Sequence, residues 1–489
     1  MPRPSDTLRI AVTFPAPRAA PGPARASWPL TEAKVARMRP AEADTRRALE
    51  ALQRLGFEVT TTGRLSASVR GPRRLIERIF QAKLRSVRMR DFAHPSSILQ
   101  AEMAVAPAEG APWDLPAEIA GLVDSVEPQW PHIYHARWAA SEPAPVPPAL
   151  PDRHALRVPD DVAVLLDAAS VHRQGFTGQG VRVAMIDTGF EHTHPFFTAR
   201  GYASRVVAGP GAGDPTRDPD GHGTGESANL FAVAPDAQVI GVKLETDDGE
   251  QGASLLEGLH VALEHDPDIL TISLGYDLAL PGRVPEEALP THFRALEAEL
   301  TQVVAEGRIV VLSAGNGQFT FPAMMPDVIA AGGVHVRPDG AMEASDYASA
   351  FTSAIYEGRD VPDVCGLVGM LPGAQYLVLP VPPGSLTDRR HAATDGTAPD
   401  DGWAVFSGTS AAAPQVAGVC ALLRQIDESL DTARAKALLR ETARDVTRGA
   451  ASHLTGRFGE GLSASEGDDV ATGAGLVSAA AAVARLQAS

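Results

Sequence analysis

The sequence predicts an α/β fold with a mostly parallel sheet, preceded by a smaller α+β domain. The first observation is the alternation of short apolar segments with longer helical segments across the last two thirds of the chain. Nearly continuous apolar strands that alternate with helices are typical of a parallel sheet covered on both faces. The second observation is a β-α-β-β-α-β order over the first 90 residues. The third is a Pro- and Ala-rich stretch between the two regions.

Five segments of the C-terminal region have the composition of buried strands. They read VRVAMIDTG, AQVIGVKL, DILTISLG, RIVVLSAGN and DVIAAGGV, and the helical segments between them include SLLEGLHVALEH and FRALEAELTQVVAEG. Ligand sites in such sheets lie at the carboxyl ends of the strands. We therefore expect the functional site at that edge of the sheet.

The N-terminal region is predicted to have the split arrangement of ferredoxin-like domains. We expect strands at 8–14 and 83–90, a strand pair within 57–71, and helices at 43–56 and 72–80. Residues 136–160, ARWAASEPAPVPPALPDRHALRVPD, contain too many prolines for a regular helix or a central strand. The predicted organisation is therefore an N-terminal domain at 1–135, a linker at 136–160 and a main domain at 161–489.

Composition excludes several classes of protein. The net charge of −17 argues against nucleic acid as the main partner. No segment has the length and apolarity of a transmembrane helix, and the N-terminus lacks the pattern of a secretory signal. Cys365 and Cys420 make no metal-type spacing and are predicted to be buried thiols. We expect no membrane partner and a cytoplasmic protein, with secretion by a non-standard route left open.

Charge is unevenly distributed along the chain. The first 100 residues hold 19 Lys and Arg against 8 Asp and Glu, whereas the remainder holds 24 against 52. Two interpretations are open at this point. The basic region binds an external polyanion, or it docks on the acidic part of its own chain.

The stretch FSGTSAAAPQVAG, residues 406–418, places Ser410 at the start of a predicted helix. The alanines favour helix, and Pro414 is tolerated in the first turn. Unpaired N–H groups and the positive end of the helix dipole then surround Ser410. This setting suits a nucleophile whose product is an oxyanion, and it equally suits an ordinary helix cap.

Other strand ends supply the groups that a serine nucleophile requires. Asp187 ends VRVAMIDTG, His222 lies between two glycines in DGHGTG, and Asn316 ends RIVVLSAGN. A serine hydroxyl needs a base to take its proton and an acid to orient that base. Asn316 can donate to a developing oxyanion beside the backbone N–H of Ser410.

The ordered blocks VAMIDTG, DGHGTG, TISLG, VLSAGNG, FPAMMPDVIAAGGV and FSGTSAAAPQVAG resemble the subtilisin-like serine protease family, known as S8. The resemblance implies a three-layer fold and peptide hydrolysis through an acyl-enzyme. It implies that Asp187 orients the base His222, that Ser410 is the nucleophile and that Asn316 binds the oxyanion. It also implies a substrate pocket. Its walls would be Ser273, Leu274 and Gly275 on one side and Ala314 and Gly315 on the other, with Thr320 near its floor.

Thr320 stands where the family often has glycine, so the resemblance implies a narrow pocket for the substrate side chain. No cofactor is required, and calcium is the metal that many members bind. The acidic stretch 459–469 is the candidate calcium loop, although it lacks an EF-hand pattern. His192 and His194 have no third residue at metal spacing and are predicted to be structural. We therefore predict no dedicated metal site.

The N-terminal region has a second resemblance. LGFEVTTTGRLSASVRGPRRLIERIFQAKLRSV, followed by DLPAEIAGLVDSVEPQ, resembles the activation domain of kumamolisin-type proteases, the sedolisins. This resemblance implies an inhibitory and folding prodomain, so the chain would be a zymogen. It favours docking of the basic region on its own acidic domain over an external polyanion.

Three further hypotheses concern function. Glu226, one helical turn after His222, could replace it as the base of a sedolisin-like acid protease. Alternatively, the chain is a non-catalytic scaffold that binds peptides. The narrow pocket, the few cysteines and the absent signal also suggest a protease that processes one specific peptide precursor.

Overall fold

The computed structural model describes residues 7–17, 30–81, 84–88, 103–107, 113–129, 144–150, 154–249, 252–278, 288–456 and 460–488. The chain divides into two compact units. The first comprises Met1–His132 together with Ser254–Val261 and Glu286–Glu306, and the second comprises the rest.

The first unit contains a four-stranded antiparallel sheet in the order β2-β3-β1-β6. This is the strand order of a ferredoxin-like β-α-β-β-α-β domain, because the first strand lies between the third and the last. Its buried core includes Ile10, Leu52, Val69 and Phe80. The elements of residues 1–132 are β1 (Thr7–Thr13), α1 (Glu32–Val35), α2 (Glu42–Arg54), β2 (Glu58–Thr62), β3 (Ser66–Pro72), α3 (Arg73–Ile79), β4 (Leu84–Arg88), β5 (Met103–Pro107) and β6 (Ser125–Pro128).

The last strand of this sheet differs from the sequence-based expectation. The segment at 83–90 was expected to complete the sheet, but its described part, β4, pairs with β5 in a separate two-stranded ribbon. The sheet is completed instead by β6, in which Ile10 of β1 lies opposite Pro128. The misassignment has a physical reason, because both segments alternate apolar and polar residues and only long-range pairing decides between them.

The second unit is built on an eight-stranded sheet. Its strands run in the order β16-β15-β13-β11-β8-β10-β9, and β19 pairs with β15. All pairs are parallel except β15 with β16. The predicted α/β fold with a mostly parallel sheet is therefore confirmed. These strands are β8 (Arg182–Asp187), β9 (Ser204–Ala208), β10 (Gln238–Lys243), β11 (Ile269–Ile272), β13 (Ile309–Ser313), β15 (Ile329–Val336), β16 (Met342–Ala344) and β19 (Val364–Leu367).

Helices and short strands complete the chain. The helices are α4 (Asp160–Leu165), α5 (Ala168–His172), α6 (Pro195–Thr198), α7 (His222–Val233), α8 (Leu255–Leu263), α9 (Arg294–Ala305), α10 (Leu386–Asp395), α11 (Thr409–Ile426), α12 (Thr432–Thr442) and α13 (Ala479–Gln487). The short strands are β7 (Leu156–Arg157), β12 (Tyr276–Asp277), β14 (Thr320–Phe321), β17 (Phe351–Thr352), β18 (Asp360–Val361), β20 (Leu377–Pro380) and β21 (Trp403–Phe406), and Thr291–Phe293 forms a 3₁₀ turn. No helix in these described ranges is long and apolar enough to cross a membrane.

Two buried helices bring the functional residues to one edge of the sheet. Every residue of α7 is buried, as is α11 from Thr409 to Leu423. The helices approach closely at Gly418, where an added Cβ would lie 2.7 Å from Cβ of Val233. A glycine is therefore required at this helix crossing. Both helices have their N-termini near the carboxyl ends of β8, β11 and β13, the edge at which parallel sheets place their sites.

Both cysteines lie in the second unit and are buried and unpaired. Burial raises the pKa of the Cys420 thiol to about 12, so it stays protonated at neutral pH. The two side chains act as small apolar groups in the core.

Candidate active site

A buried carboxylate and a buried imidazole meet where β8 ends and α7 begins. Asp187 is the last residue of β8, and His222 is the first residue of α7. Nδ1 of His222 lies 2.7 Å from Oδ1 of Asp187, and the two side chains are 2% and 0% exposed. The backbone N–H of Thr188 donates to the same carboxylate oxygen at 2.7 Å. These contacts fix the tautomer and orientation of the imidazole, whose Nε2 is left for chemistry.

Asp218 holds the start of α7 in place. Its carboxylate accepts hydrogen bonds from the N–H groups of Gly221 and Thr224, both at 3.0 Å, and from the hydroxyls of Thr188 and Thr224 at 3.1 and 2.6 Å. Gly221 has a φ of +92°, which a residue with a side chain would adopt only with strain. Sequence reasoning missed Asp218. The available signal was an Asp four residues before His222, since Asp commonly accepts from the first N–H groups of a helix.

Ser410 is the second residue of α11, as the alanine-rich stretch predicted. Its hydroxyl donates to the backbone carbonyl of Ser273 at 3.1 Å, and the hydroxyl of Ser273 donates to the carbonyl of Ser410 at 2.9 Å. Among the described hydrogen bonds, none joins Ser410 to His222. Catalytic hydrogen bonds are often long or misaligned before substrate binds, so this geometry is compatible with a catalytic pair.

Asn316 follows the end of β13 and faces the start of α11. Its Oδ1 accepts from the backbone N–H of Thr409 at 3.0 Å and from the Thr409 hydroxyl at 3.2 Å. The oxygen is held in this way, whereas no hydrogen bond among the described residues engages the Nδ2 donor. A Cβ at Gly408 would lie 3.0 Å from that Nδ2. The glycine therefore keeps the donor of Asn316 uncovered.

A pocket opens beside Ser410 and Asn316. Of the residues expected to bind substrate, Ser273, Leu274, Gly275, Gly315 and Thr320 line it, and Ala314 does not because it is fully buried. Sequence reasoning missed several lining residues that lie next to the expected ones in the chain. The complete lining is Ser273, Leu274, Gly275, Tyr276, Asp277, Ser313, Gly315, Asn316, Gln318, Thr320, Thr409 and Ser410.

The side chain of Thr320 lies between the two glycine walls of this pocket. A Cβ at Gly315 would lie 2.1 Å from Oγ1 of Thr320, and a Cβ at Gly275 would lie 2.9 Å from its Cγ2. Both walls therefore lack side chains where Thr320 approaches them.

Glu226 lies one turn after His222 on α7 and is buried. Its Oε1 is 3.7 Å from Nε2 of His222, within ion-pair distance but too long for a hydrogen bond. Burial raises the pKa of the Glu226 carboxyl well above its ordinary range. Burial alone would lower the pKa of His222, but the Asp187 carboxylate, with Glu226 adding to it, raises that pKa above the ordinary value.

The histidines of the EHTHP segment have structural partners. Nε2 of His192 lies 2.9 Å from the hydroxyl of Ser227. Nε2 of His194 lies 3.0 Å from the carbonyl oxygen of Gly402, and its Nδ1 accepts from the backbone N–H of Phe196 at 3.0 Å. Both ring nitrogens of His194 are thus engaged.

Within the described part of the chain, no group of three or more His, Cys, Asp or Glu side chains could hold a metal ion. In the stretch 459–469, whose first residue lies outside the described ranges, Asp468 forms an ion pair with Arg440 and Asp469 accepts from the N–H groups of Ser465 and Thr472. These carboxylates already have protein partners.

The subtilase family model matches residues 178–461, more than half of the chain. The chain belongs to the subtilase family. It is 28% identical over 295 residues to subtilisin E of Bacillus subtilis (strain 168), which covers 57% of this chain and 64% of that protein. It is 29% identical over 310 residues to alkaline elastase YaB of Bacillus sp. (strain YaB), covering 61% of this chain and 66% of that protein. The match with subtilisin E therefore spans less than two thirds of the relative's length.

Solved structures show the same fold. The structure of fervidolysin from Fervidobacterium pennivorans, a keratinolytic enzyme related to subtilisin, aligns with a TM-score of 0.53 at 18% identity. The alignment covers 98% of this chain and 61% of that chain. The family resemblance inferred from the sequence blocks and the subtilisin-like architecture are both confirmed. The comparisons leave the resemblance of the N-terminal region to kumamolisin-type activation domains as a prediction.

Replacing Asp218 with alanine should destabilise the start of α7. The change leaves buried N–H and hydroxyl donors without an acceptor, and we expect the free energy of unfolding to fall by about 3 kcal/mol. Urea denaturation in a Ser410→Ala background, which prevents self-digestion, would measure it. Asp214→Ala in the same loop is the matched control, since among the described residues that exposed carboxylate accepts only from Thr216. Equal effects of the two changes would contradict the capping role.

Proposed function

We propose that this subtilase is a serine endopeptidase that uses Ser410, His222 and Asp187. The observation that carries the proposal is the buried 2.7 Å contact between Asp187 and His222. It lies at the sheet edge that also presents Ser410 at a helix start and Asn316 beside a pocket. Hydrolysis of a peptide bond needs a nucleophile, an oriented base and donors for an oxyanion, and these residues supply all three.

The chemistry follows from the positions of the groups. The hydroxyl of Ser410 leaves the carbonyl of Ser273 and donates to Nε2 of His222. His222 takes the proton as Oγ bonds to the peptide carbonyl carbon, while Asp187 stabilises the imidazolium through Nδ1. The oxyanion accepts from the N–H of Ser410 and from Nδ2 of Asn316. His222 then gives its proton to the leaving amine, and water hydrolyses the Ser410 ester by the same proton transfers.

The pocket supports an assignment of substrate contacts. Ser273, Leu274 and Gly275 continue from β11 along one wall, so an extended peptide could pair with this segment as an added strand. Gly315 bounds the other wall, and Thr320 lies between the two. In this assignment Ala314 supports Gly315 from the core and does not contact substrate.

A fluorophosphonate probe tests the catalytic assignment without knowledge of the substrate. Oγ of Ser410 would form a bond to phosphorus as fluoride leaves. We expect labelling of wild-type protein at a single peptide containing Ser410, and none in Ser410→Ala, measured by mass spectrometry. Unlabelled wild type in a form free of its N-terminal region would support the non-catalytic scaffold instead. Labelling that persists in His222→Ala at pH 4 would support Glu226 as the base.

We also propose that residues 1–135 act as a prodomain, with 136–160 as the connecting linker, of which 136–143 and 151–153 lie outside the described residues. Contacts within the first unit support this. Oε1 of Glu299, on α9, accepts from the N–H groups of Leu65 and Ser66 and from the Ser66 hydroxyl, each at 2.9 Å. Burial alone would raise the pKa of Glu299, but His260 and these donors lower it. The Glu299 carboxylate is thus ionised and accepts hydrogen bonds from the N-terminal region.

Charge complementarity in the same unit favours an intramolecular partner for the basic region. Nε of Arg9 lies 2.8 Å from Oε2 of Glu257, and Arg64 forms an ion pair with Glu306. Ser68 also donates to Glu257 at 2.9 Å. The basic residues come from the first 100 residues and the acids from later in the chain. These contacts support docking on its own acidic partner over binding of an external polyanion.

Self-cleavage tests the prodomain proposal. We expect wild-type protein to be cut within residues 136–160 during incubation at pH 8, whereas Ser410→Ala stays whole, as read from intact mass. The released N-terminal fragment should remain bound. In Glu299→Gln its Kd should rise roughly tenfold, because buried donors lose a charged acceptor. Glu50→Gln, an exposed change on α2, is the control. Cleavage of both chains alike would overturn self-processing.

We further propose that the substrate is one peptide precursor with a small residue before the cleaved bond. The pocket that Thr320 narrows supports a restricted substrate, and two buried free thiols fit work in the reducing cytoplasm. Efficient digestion of unfolded casein at many sites would contradict the restriction to a single precursor.

Replacing Thr320 with glycine should widen this pocket. The measured quantity is kcat/KM for a peptide with Phe before the cleaved bond, divided by kcat/KM for a peptide with Ala there. In Thr320→Gly this ratio should be roughly tenfold or more above that of wild type, because the lost side chain frees volume for the Phe ring. Peptide hydrolysis followed by chromatography measures the ratio. Thr352→Gly, at an exposed position outside the pocket lining, is the control. An unchanged ratio in Thr320→Gly would show that the pocket depth is set elsewhere.

A further inference from the structure

Glu226 takes no part in the proposed hydrolysis, yet its carboxylate is buried beside the imidazole that performs it. The side chain is 1% exposed, and Oε1 lies 3.7 Å from Nε2 of His222. Nε2 is the nitrogen that must receive the proton of Ser410. His222 therefore lies between two carboxylates, with Asp187 at Nδ1 and Glu226 at Nε2.

Neighbouring side chains hold Glu226 in this position. Nδ2 of Asn229 donates to Oε2 of Glu226 at 3.0 Å, and Nε2 of Gln415 donates to Oδ1 of Asn229 at 3.0 Å. Oε1 of Gln415 in turn accepts from the backbone N–H of Leu367 at 2.7 Å. This chain of hydrogen bonds joins α7 to α11 and β19. Because Oε2 is engaged, Oε1 is the oxygen directed at His222.

The charged and titratable groups around His222 and Glu226 come from three neighbouring segments. On β8, Asp187 faces Nδ1, and in the loop before α7, Asp220 adds negative charge. From the loop after β16, Tyr347 lies close enough to Glu226 for an electrostatic interaction. The charged neighbours among these described groups are carboxylates. These carboxylates favour a proton on the imidazole against the opposing effect of burial, and Glu226 is the contributor at Nε2.

Resting on the proposed function, we propose that Glu226 is a positioning residue that retains a proton at Nε2 of His222. His222 then becomes able to act as a base only at alkaline pH. A proton shared by a buried carboxylate and an imidazole is lost by the pair and not by either group alone. Until it leaves, Nε2 cannot accept from Ser410. This also accounts for the resting geometry, in which Ser410 donates to Ser273 instead.

The test is the pH dependence of Ser410 labelling by a fluorophosphonate, using the full chain with and without the isosteric change Glu226→Gln. We expect the acid limb of the rate profile to move to lower pH by at least about one unit in Glu226→Gln, since an adjacent ionised carboxylate shifts a pKa by that order. Glu226→Asp, which withdraws the carboxylate, should give an intermediate limb. Ser227→Ala, a buried neutral change on the same helix, should keep the wild-type limb.

Other outcomes separate this inference from the proposed function. An unmoved acid limb in Glu226→Gln, with labelling intact, overturns the inference and leaves the serine endopeptidase standing. Labelling of wild type at pH 4 that vanishes in Glu226→Gln also overturns it, because Glu226 would then be the base. Absence of labelling in every form, including wild type freed of its N-terminal region, removes the proposed function itself.

A second measurement does not depend on activity. In a Ser410→Ala background, an NMR titration of His222 should show loss of its proton at lower pH when Glu226 is also replaced by glutamine. Equal titration midpoints in the two proteins would overturn the inference even if labelling proved too slow to measure.

Discussion

The hydrogen bond between the buried carboxylate of Asp187 and Nδ1 of His222 is the constraint on which the arrangement of the second unit depends. A carboxylate at the end of the strand β8 is costly to bury unless donors surround it. The backbone N–H of Thr188 supplies one donor and His222 supplies the other. The second contact requires α7 to begin at this point. The left-handed turn at Gly221 and the carboxylate of Asp218 give α7 that starting position.

Ser410, the proposed nucleophile, is positioned by a separate but connected set of contacts. The helix α11 packs along α7 at Gly418, and its N-terminus meets the strand ends after β11 and β13. Ser273 and Asn316 then bond to Ser410 and Thr409. Because both helices are buried, the N-terminus of α7 and the N-terminus of α11 have little freedom to move. The framework around Ser410 and His222 is therefore held by two buried helices.

Two carboxylates, and not one, lie beside the imidazole of His222. An Asp–His pair with a free Nε2 would titrate mainly under the influence of one carboxylate. Glu226 places a second carboxylate 3.7 Å from Nε2 of His222, and the hydrogen bonds from Asn229 to Gln415 hold it there. In the first unit, by contrast, buried Glu299 is satisfied by backbone donors. The two buried glutamates thus differ in their surroundings: Glu226 lies beside an imidazole and accepts from one amide, whereas Glu299 accepts from backbone N–H groups and a hydroxyl.

The sequence by itself determined the parallel sheet, the order of its strands along the chain and the residues at the carboxyl edge, because apolar strands and turn glycines are local signals. It also indicated Asp187, His222, Asn316 and Ser410, whose types and positions at strand or helix ends limit their chemistry. Tertiary structure decided the pairing of β6 in place of the segment at 83–90, since strand pairing is non-local. It also decided the approach of Thr320 to two glycines, the role of Asp218 and the distance from Glu226 to His222. These depend on side-chain directions, which spacing along a chain does not specify.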